Sequence, residues 1–322
     1  MSLTVAGCGA GAPRASGHVY WITAGSSYGK KMAVPGRRGI GSVKEVALGS
    51  GTATFLARGE TPEALAVGGS HVYWPDCLGG TVNEVPVGVG VPRGVPQRRR
   101  VTPIASLQDC PFAVAADATH AYWVNSADGT VKKVRLGGGE VITLASGQDG
   151  PTSIAVDGGR VYWVNDSAND NVHDTVNEVP IGGGKVTVLA RNQHGPTSVA
   201  VDGSHVYWVN GGDGTVNEVP IGGGRVITLA RGQDYPDGAA VDGTHVYWVN
   251  VGGDTVNEVP IGGGRATTIA IGGHPDSIAV DGTDVYWADG SAGTVNEVPI
   301  GGGRATTIAS GQAFPAAVAV GP

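Results

Sequence analysis

Short apolar runs, separated by glycine, aspartate and proline, follow one another along most of the chain. The stretch from Pro196 to Ala230 shows the pattern in full. Pro196–Val201 (PTSVAV) and His205–Asn210 (HVYWVN) are rich in β-branched and aromatic residues and flank Asp202-Gly203, a pair suited to the positive φ angles of a tight hairpin. Thr215–Pro220 (TVNEVP) follows a glycine-rich loop, and 225–230 (RVITLA) follows Gly222-Gly223-Gly224. These runs predict four strands, here A to D, joined by short connections into an antiparallel meander. No apolar run reaches the roughly 18 residues that a membrane-spanning helix needs.

The unit repeats. Tyr-Trp occurs at Tyr20, Tyr73, Tyr122, Tyr162, Tyr207, Tyr247 and Tyr286, with spacings of 53, 49, 40, 45, 40 and 39 residues, and these pairs use all 7 Trp of the chain. A period near 40 with four strands per unit predicts propeller blades. Strand A begins at Pro62, Pro111, Pro151, Pro196, Pro236, Pro275 and Pro315. Its third position is always Ala, Ser or Gly and its fifth is always Ala, whereas the fourth is larger in every copy but Ala239. Small residues on one face of a period-two strand mark the place where sheets crowd, the innermost strand around an axis. The chain enters on a strand B at His18 and ends on a lone strand A at Pro315, so the C-terminal strand is expected to complete the N-terminal blade and leave no open edge. The predicted fold is all-β: one seven-bladed β-propeller over 18–322, preceded by a segment 1–17.

The Tyr-Trp-Val-Asn of strand B (Tyr207 to Asn210) and the Pro-x-x-x-Ala-Val-Asp-Gly of strands A and B (Pro196 to Gly203) resemble the repeats of YWTD and NHL propellers, in the broad group that includes virginiamycin-lyase-like proteins. The resemblance covers about 18–320 and implies the fold. It assigns no catalytic residue.

Residues present in every blade serve every blade, so Tyr and Trp are expected in the core. Glu178, Glu218, Glu258 and Glu297, seven positions before Lys185, Arg225, Arg265 and Arg304, predict cross-hairpin surface ion pairs. Function on a repeat scaffold sits where the repeats differ. The D–A and B–C loops share one face, and the second position of strand A lines its mouth with Glu63, Phe112, Thr152, Thr197, Asp237, Asp276 and Ala316. Tyr235, His274 and Phe314 directly precede three of these strands. Glu63, Phe112, Tyr235, Asp237, His274, Asp276 and Phe314 are therefore the candidate ligand residues, aromatic faces beside carboxylates suiting a glycan or an amine. The plainer reading of the same residues is a solvated rim. The long B–C loop 166–174 (DSANDNVHD) offers Asp166, Asp170, His173 and Asp174, with His194 in the following D–A loop, as ligands for a divalent metal; it does not match an EF-hand. No other cofactor is suggested.

The Gly-Gly-Gly copies lie between strands and present no helix N-terminus to a phosphate. Nucleophile-elbow, zinc-helix and paired Cys-x-x-Cys motifs are absent from the sequence. The function expected is a non-catalytic binding or interaction module with a protein partner or small ligand at the mouth. The alternative is a propeller enzyme of lyase or hydrolase type that uses the same polar cluster.

Net charge is −7, divided into +6 over 1–135 and −13 over 136–322. The basic residues gather in two insertions, Lys30, Lys31, Arg37 and Arg38 in one and Arg93, Arg98, Arg99 and Arg100 in the other. An acidic total and few aromatics among these basic residues argue against a nucleic-acid partner. Of the 3 Cys, Cys77 and Cys110 fall on the same face of adjacent blades, which predicts a disulfide and an exported monomer, periplasmic or extracellular. Val5-Ala6-Gly7-Cys8 resembles a lipobox and suggests lipid attachment at Cys8. A cytoplasmic protein with free thiols is the alternative.

Overall fold

The computed structural model describes residues 17–24, 41–50, 52–59, 62–88, 99–167 and 174–321. Twenty-eight strands form seven four-stranded antiparallel sheets, each in the order A, B, C, D. The C-terminal strand Pro315–Gly321 pairs with His18–Thr23, which continues to Gly41–Ala47 and Ala53–Gly59. Tyr20 stands opposite Ala319 and Trp21 opposite Val318, so this shared blade, blade 1, has the same A–B pairing as its sisters. Every strand A abuts the strands A of both neighbouring blades, which closes the ring.

The seams between blades hold the core. Tyr207 of blade 5 meets Trp248 of blade 6 in one buried cluster, Tyr247 meets Trp287 in the next, and Tyr286 meets Trp21 across the closing seam. All seven Trp are at most 2% exposed. The small third position of strand A has a further use. Ser153, Ser198 and Ser277 accept the backbone N–H of Val199, Ala239 and Val318 in the next blade, at 3.2, 3.0 and 3.2 Å. A larger side chain would hold the inner strands apart.

A bulge in strand A leaves its second residue without a cross-strand partner. In blade 5, Pro196 faces Asn210 and Ser198 faces Val209, skipping Thr197. Blade 6 differs: Asp237 keeps its partner Val249 and the skipped residue is Gly238, at φ 47°. In blade 2 the strand is shortened to Ala66–Gly68, with Pro62 held by a single bridge to Asp76.

Two local expectations are corrected. Gly203, Gly243 and Gly282 do not adopt positive φ. The A–B turn is shaped by the aspartate side chain instead: Asp202 Oδ1 accepts the N–H of Ser204 and of His205, both at 2.7 Å, while Tyr207 donates its hydroxyl to Oδ2 at 2.9 Å. Nor are Glu178, Glu218 and Glu258 surface partners of Lys185, Arg225 and Arg265. Glu178, Glu218 and Glu258 are buried, and each accepts a backbone N–H from the C–D turn of the next blade, from Gly222, Gly262 and Gly301 respectively. Glu178 does form an ion pair, with Arg160 of its own blade at 2.8 Å. Blade 3 carries Lys133 at this position, and it donates to the carbonyl of Ile181 in the next C–D turn. The polarity of the latch is inverted while its geometry is kept.

Deleting 314–322 removes an inner strand and both of its seams, so the truncated chain should melt well below the full-length one; an unchanged melting curve would refute the shared blade. A second prediction concerns acid. Burial alone would raise the carboxyls of Asp117, Asp202 and Asp242, but the hydrogen bonds they accept hold them below the ordinary value. Groups depressed in the folded state stabilise fully above their unfolded pKa, ~3.9, and lose that contribution as pH falls through the folded value. Urea midpoints should therefore drop steeply below about pH 4, and replacing all three by Asn should flatten that part of the profile.

Candidate functional site

In blades 1 and 3 to 6 the residue before the strand-A proline turns the chain from the D–A loop onto the inner strand in left-handed backbone; in blade 3 it is Cys110, at φ 53°, whereas in blade 7 His274 stands there at φ 157°. Gly150 and Gly195 occupy this position at φ 59° and 61°, as expected for glycine. Tyr235 and Phe314 occupy it at φ 50°, a conformation uncommon for aromatic side chains. Their carbonyls are fixed by the N–H of Val251 at 3.1 Å and of Ala24 at 3.0 Å. The rings are left 69% and 44% exposed on the loop face. Strain of this kind collects at binding and catalytic sites.

Between these aromatics lie the carboxylates of blades 6 and 7. Asp237 is only 7% exposed and accepts the N–H of Gly238 at 2.8 Å, a contact made by the shifted bulge. Asp276 accepts the N–H of Gly290 on Oδ2 at 3.0 Å, and its Oδ1 lies 3.2 Å from His274 Nδ1. Burial pushes the Asp276 carboxyl up, His274 opposes this, and the charge of Asp237 adds to it. The structure thus brings Tyr235, Asp237, His274 and Asp276 together on two adjacent blades, with Phe314 at the entry to the next. Glu63 stands apart on blade 2, its carboxyl raised by burial and by Asp76. Phe112 of blade 3 is half-buried and packs against the core cluster that its own blade helps to form.

Of the metal candidates, Asp170 and His173 lie outside the described residues. Asp174 is fully buried and accepts the N–H of Ser167 at 2.8 Å and of Gly195 at 2.9 Å, so it clamps the base of the B–C loop to the D–A loop. The Asp166 carboxyl is raised by burial and by Asp174. The carbonyl of His194 accepts the N–H of Gly212. Among the described residues no group of three or more His, Cys, Asp or Glu could hold a metal ion. Cys8 and the basic insertions, except Arg99 and Arg100, also lie outside the described residues. Arg99 reaches Glu45 of blade 1 at 2.9 Å.

No family model matches the chain, and no curated protein matches it either. Solved structures do. A chain of the nidogen/laminin complex superposes with a TM-score of 0.60 at 16% identity, over 78% of this chain and 98% of that one. A streptogramin B lyase superposes at 0.65 and 11% identity, over 80% and 86%, and virginiamycin B lyase from Staphylococcus aureus at 0.63 and 12%, over 80% and 87%. The fold shared with these structures is the β-propeller. At these identities the likeness is one of fold alone.

This propeller also carries a feature that the repeat pattern left unread. Three residues before the strand-A proline stands a glutamine whose Oε1 accepts the indole N–H of the same blade's Trp: Gln108 for Trp123, Gln148 for Trp163, Gln193 for Trp208, Gln233 for Trp248 and Gln312 for Trp21, at 2.8–3.2 Å. In blades 3 to 6 it also takes a hydrogen bond from the strand-B Asn, as Asn210 does at 3.1 Å. The fixed spacing of Gln to Pro was the available signal. Blade 7 departs from this: the position is Gly272, the loop is one residue shorter, and Asp289 replaces the Asn. There Asp289 accepts the N–H of Gly273 at 2.7 Å, and the Trp287 indole nitrogen is buried without a partner.

The expected disulfide is present. Cys77 and Cys110 are joined at 1.98 Å, tying the B–C loop of blade 2 to the entry of blade 3. A bond of this type belongs to an oxidising compartment, and no described helix is long and apolar enough to cross a membrane. Both thiols should resist alkylation until reductant is added, and reduction should lower stability by about 2–4 kcal/mol. Free labelling without reductant would contradict the bridge.

Proposed function

We propose that this propeller is a non-catalytic binding module, working as an exported monomer, whose ligand or protein partner docks on the loop face at the mouth of blades 6, 7 and 1. One observation carries the reading. The residues that break the repeat, Tyr235, Asp237, His274, Asp276 and Phe314, fall on neighbouring blades, and two of them are aromatics held exposed in left-handed backbone. The same left-handed position is glycine before Pro151 and Pro196, and before Pro111 it is Cys110, which is committed to the disulfide. The nidogen and lyase folds add support of a general kind, since this ring serves both binding and chemistry among its neighbours.

The hydrolase or lyase reading has its own observation, the contact of His274 Nδ1 with Asp276 Oδ1 on the exposed side of the mouth. A carboxylate that orients an imidazole is how a general base is held. No nucleophile stands beside it among the described contacts, so binding remains the better fit.

Site and core substitutions should separate cleanly. Trp248→Ala removes a fully buried indole and should cost about 3–5 kcal/mol. Asp237→Asn and Asp276→Asn keep shape and should change stability by less than about 1 kcal/mol while abolishing binding of ligands found by a screen of glycans, amines and candidate proteins. A ligand that binds both variants as well as it binds the parent would refute the mouth as the site.

A further inference from the structure

We infer that the loop face carries a second docking surface, away from the mouth, where the outer loops of blades 2 and 3 meet. It is an apolar knob formed by Leu78 and Leu107, and it takes a protein segment in which apolar side chains stand beside Lys or Arg. Neither this reading nor that of the mouth requires the other.

The sister blades show what is unusual here. In blades 2, 3, 5, 6 and 7 the B–C loop has four residues between its paired ends, and the second of them is Leu78, Ala127, Gly212, Gly252 and Ser291 in turn. The residue before the D–A glutamine is Gly147, Gly232 or Gly311, at φ 66–68°, or Asn192, at φ 55°; before Gln108 it is Leu107, at φ 56°. Leucine is costly in left-handed backbone and glycine is not. Yet Leu107 is 98% exposed and Leu78 67%, so packing within the chain does not offset the cost. A lone exposed leucine is ordinary, but these two replace small or polar residues on loops that are fastened together. Gln108, next to Leu107, donates its N–H to the carbonyl of Gly80 at 3.0 Å, and Cys77, next to Leu78, is bonded to Cys110. The knob is therefore held ready, and docking on it need not order a loop.

Shape and charge decide what covers it. Small ligands are taken by concave sites, whereas these tips protrude. Two protruding tips of like charge do not cover one another, which disfavours a symmetric second copy. Asp109, two residues beyond Leu107, is exposed and forms no ion pair with a described residue. Lys132 donates to Gln108 Oε1 at 3.4 Å, but its charge is taken up by Asp128 at 3.7 Å and its side chain is only 16% exposed. Negative charge is thus left over beside the leucines, and the anionic phosphates of a lipid surface would meet it unfavourably. A protein segment that wraps apolar side chains round the leucines and sets a cation against Asp109 satisfies both features, in the usual arrangement of an apolar centre within a polar rim.

The probe is a phage-displayed library of random dodecapeptides, selected in parallel on the intact protein and on a double variant, Leu78→Ser with Leu107→Gly. Peptides enriched on the parent should carry Lys or Arg beside Leu, Phe or Trp. Made synthetically and titrated in a calorimeter, they should bind the parent at least about tenfold more tightly than the double variant, and Asp109→Lys should weaken them by a similar factor. Leu107→Gly should melt no lower than the parent, because glycine suits φ 56°. Enriched peptides that bind the double variant as well as the parent, enrichment of acidic peptides, or no enrichment at all would overturn the inference. So would a lower melting temperature of Leu107→Gly, which would assign that leucine to the fold. Binding to phosphatidylcholine vesicles, or self-association in sedimentation, that the double variant loses would overturn it in favour of a lipid surface or a second copy.

Discussion

Each blade of this molecule has one Tyr facing forward and one Trp facing back, and stability depends on every Tyr finding the Trp of the next blade. A four-stranded sheet alone cannot cover these rings. Burial is completed only by a neighbour on each side, so the demand passes around the circle until the last blade meets the first. Tyr286 against Trp21 is that meeting, chemically the same as Tyr207 against Trp248. The chain therefore splits blade 1 between its ends: the strand that makes the ring continuous is also the one that supplies the last two seams.

Around this apolar constraint the polar contacts have a consistent direction. Ser153, Ser198 and Ser277, Glu178, Glu218 and Glu258, and Lys133 all reach forward to a backbone group of the next blade. Blade 3 shows that the contact, rather than the charge, is what the position requires: glutamate takes an N–H from the glycine turn, lysine gives to the carbonyl beside it. The Gln–Trp contact acts within a blade, fastening the D–A loop onto strand B just where the chain crosses the seam.

The fold was legible because all blades solve the same packing problem with the same residues, and repetition exposes period and alternation together. The polar contacts were less legible. Glu218 and Arg225 suggest an ion pair when sequence distance is all that is known, but Glu218 stands opposite Ile227, and the N–H it accepts, from Gly262, belongs to another blade. Asp202-Gly203 suggested a glycine-shaped turn because the side chain's own capping bonds cannot be seen in a dipeptide. At the mouth, residue choice was readable as irregularity, yet the one-residue slip that pairs Asp237 and skips Gly238 was not, since a bulge has no composition of its own.

The irregular blades are changed in a correlated way. Blade 7 has lost the glutamine and, with it, the Asn that bonds to that glutamine; an aspartate stands in its place and takes the N–H of the glycine loop. Blade 2 has the same short D–A spacing and the same exchange, with Asp76 accepting the N–H of Gly79. The physical sense is direct. With no glutamine oxygen to receive its amide hydrogens, an Asn would be left with unmade donors, whereas a carboxylate can accept from backbone on either side. Each exchange replaces a neutral amide by a negative charge, and in each of these blades the second position of strand A is a carboxylate too, Glu63 in one and Asp276 in the other. Blades 2 and 7 flank the closing blade. Glu63 and Asp276 thus accompany a structural choice made twice, once on each side of the blade shared by the two chain ends, whereas Asp237 lies in a blade that keeps both Gln233 and Asn250.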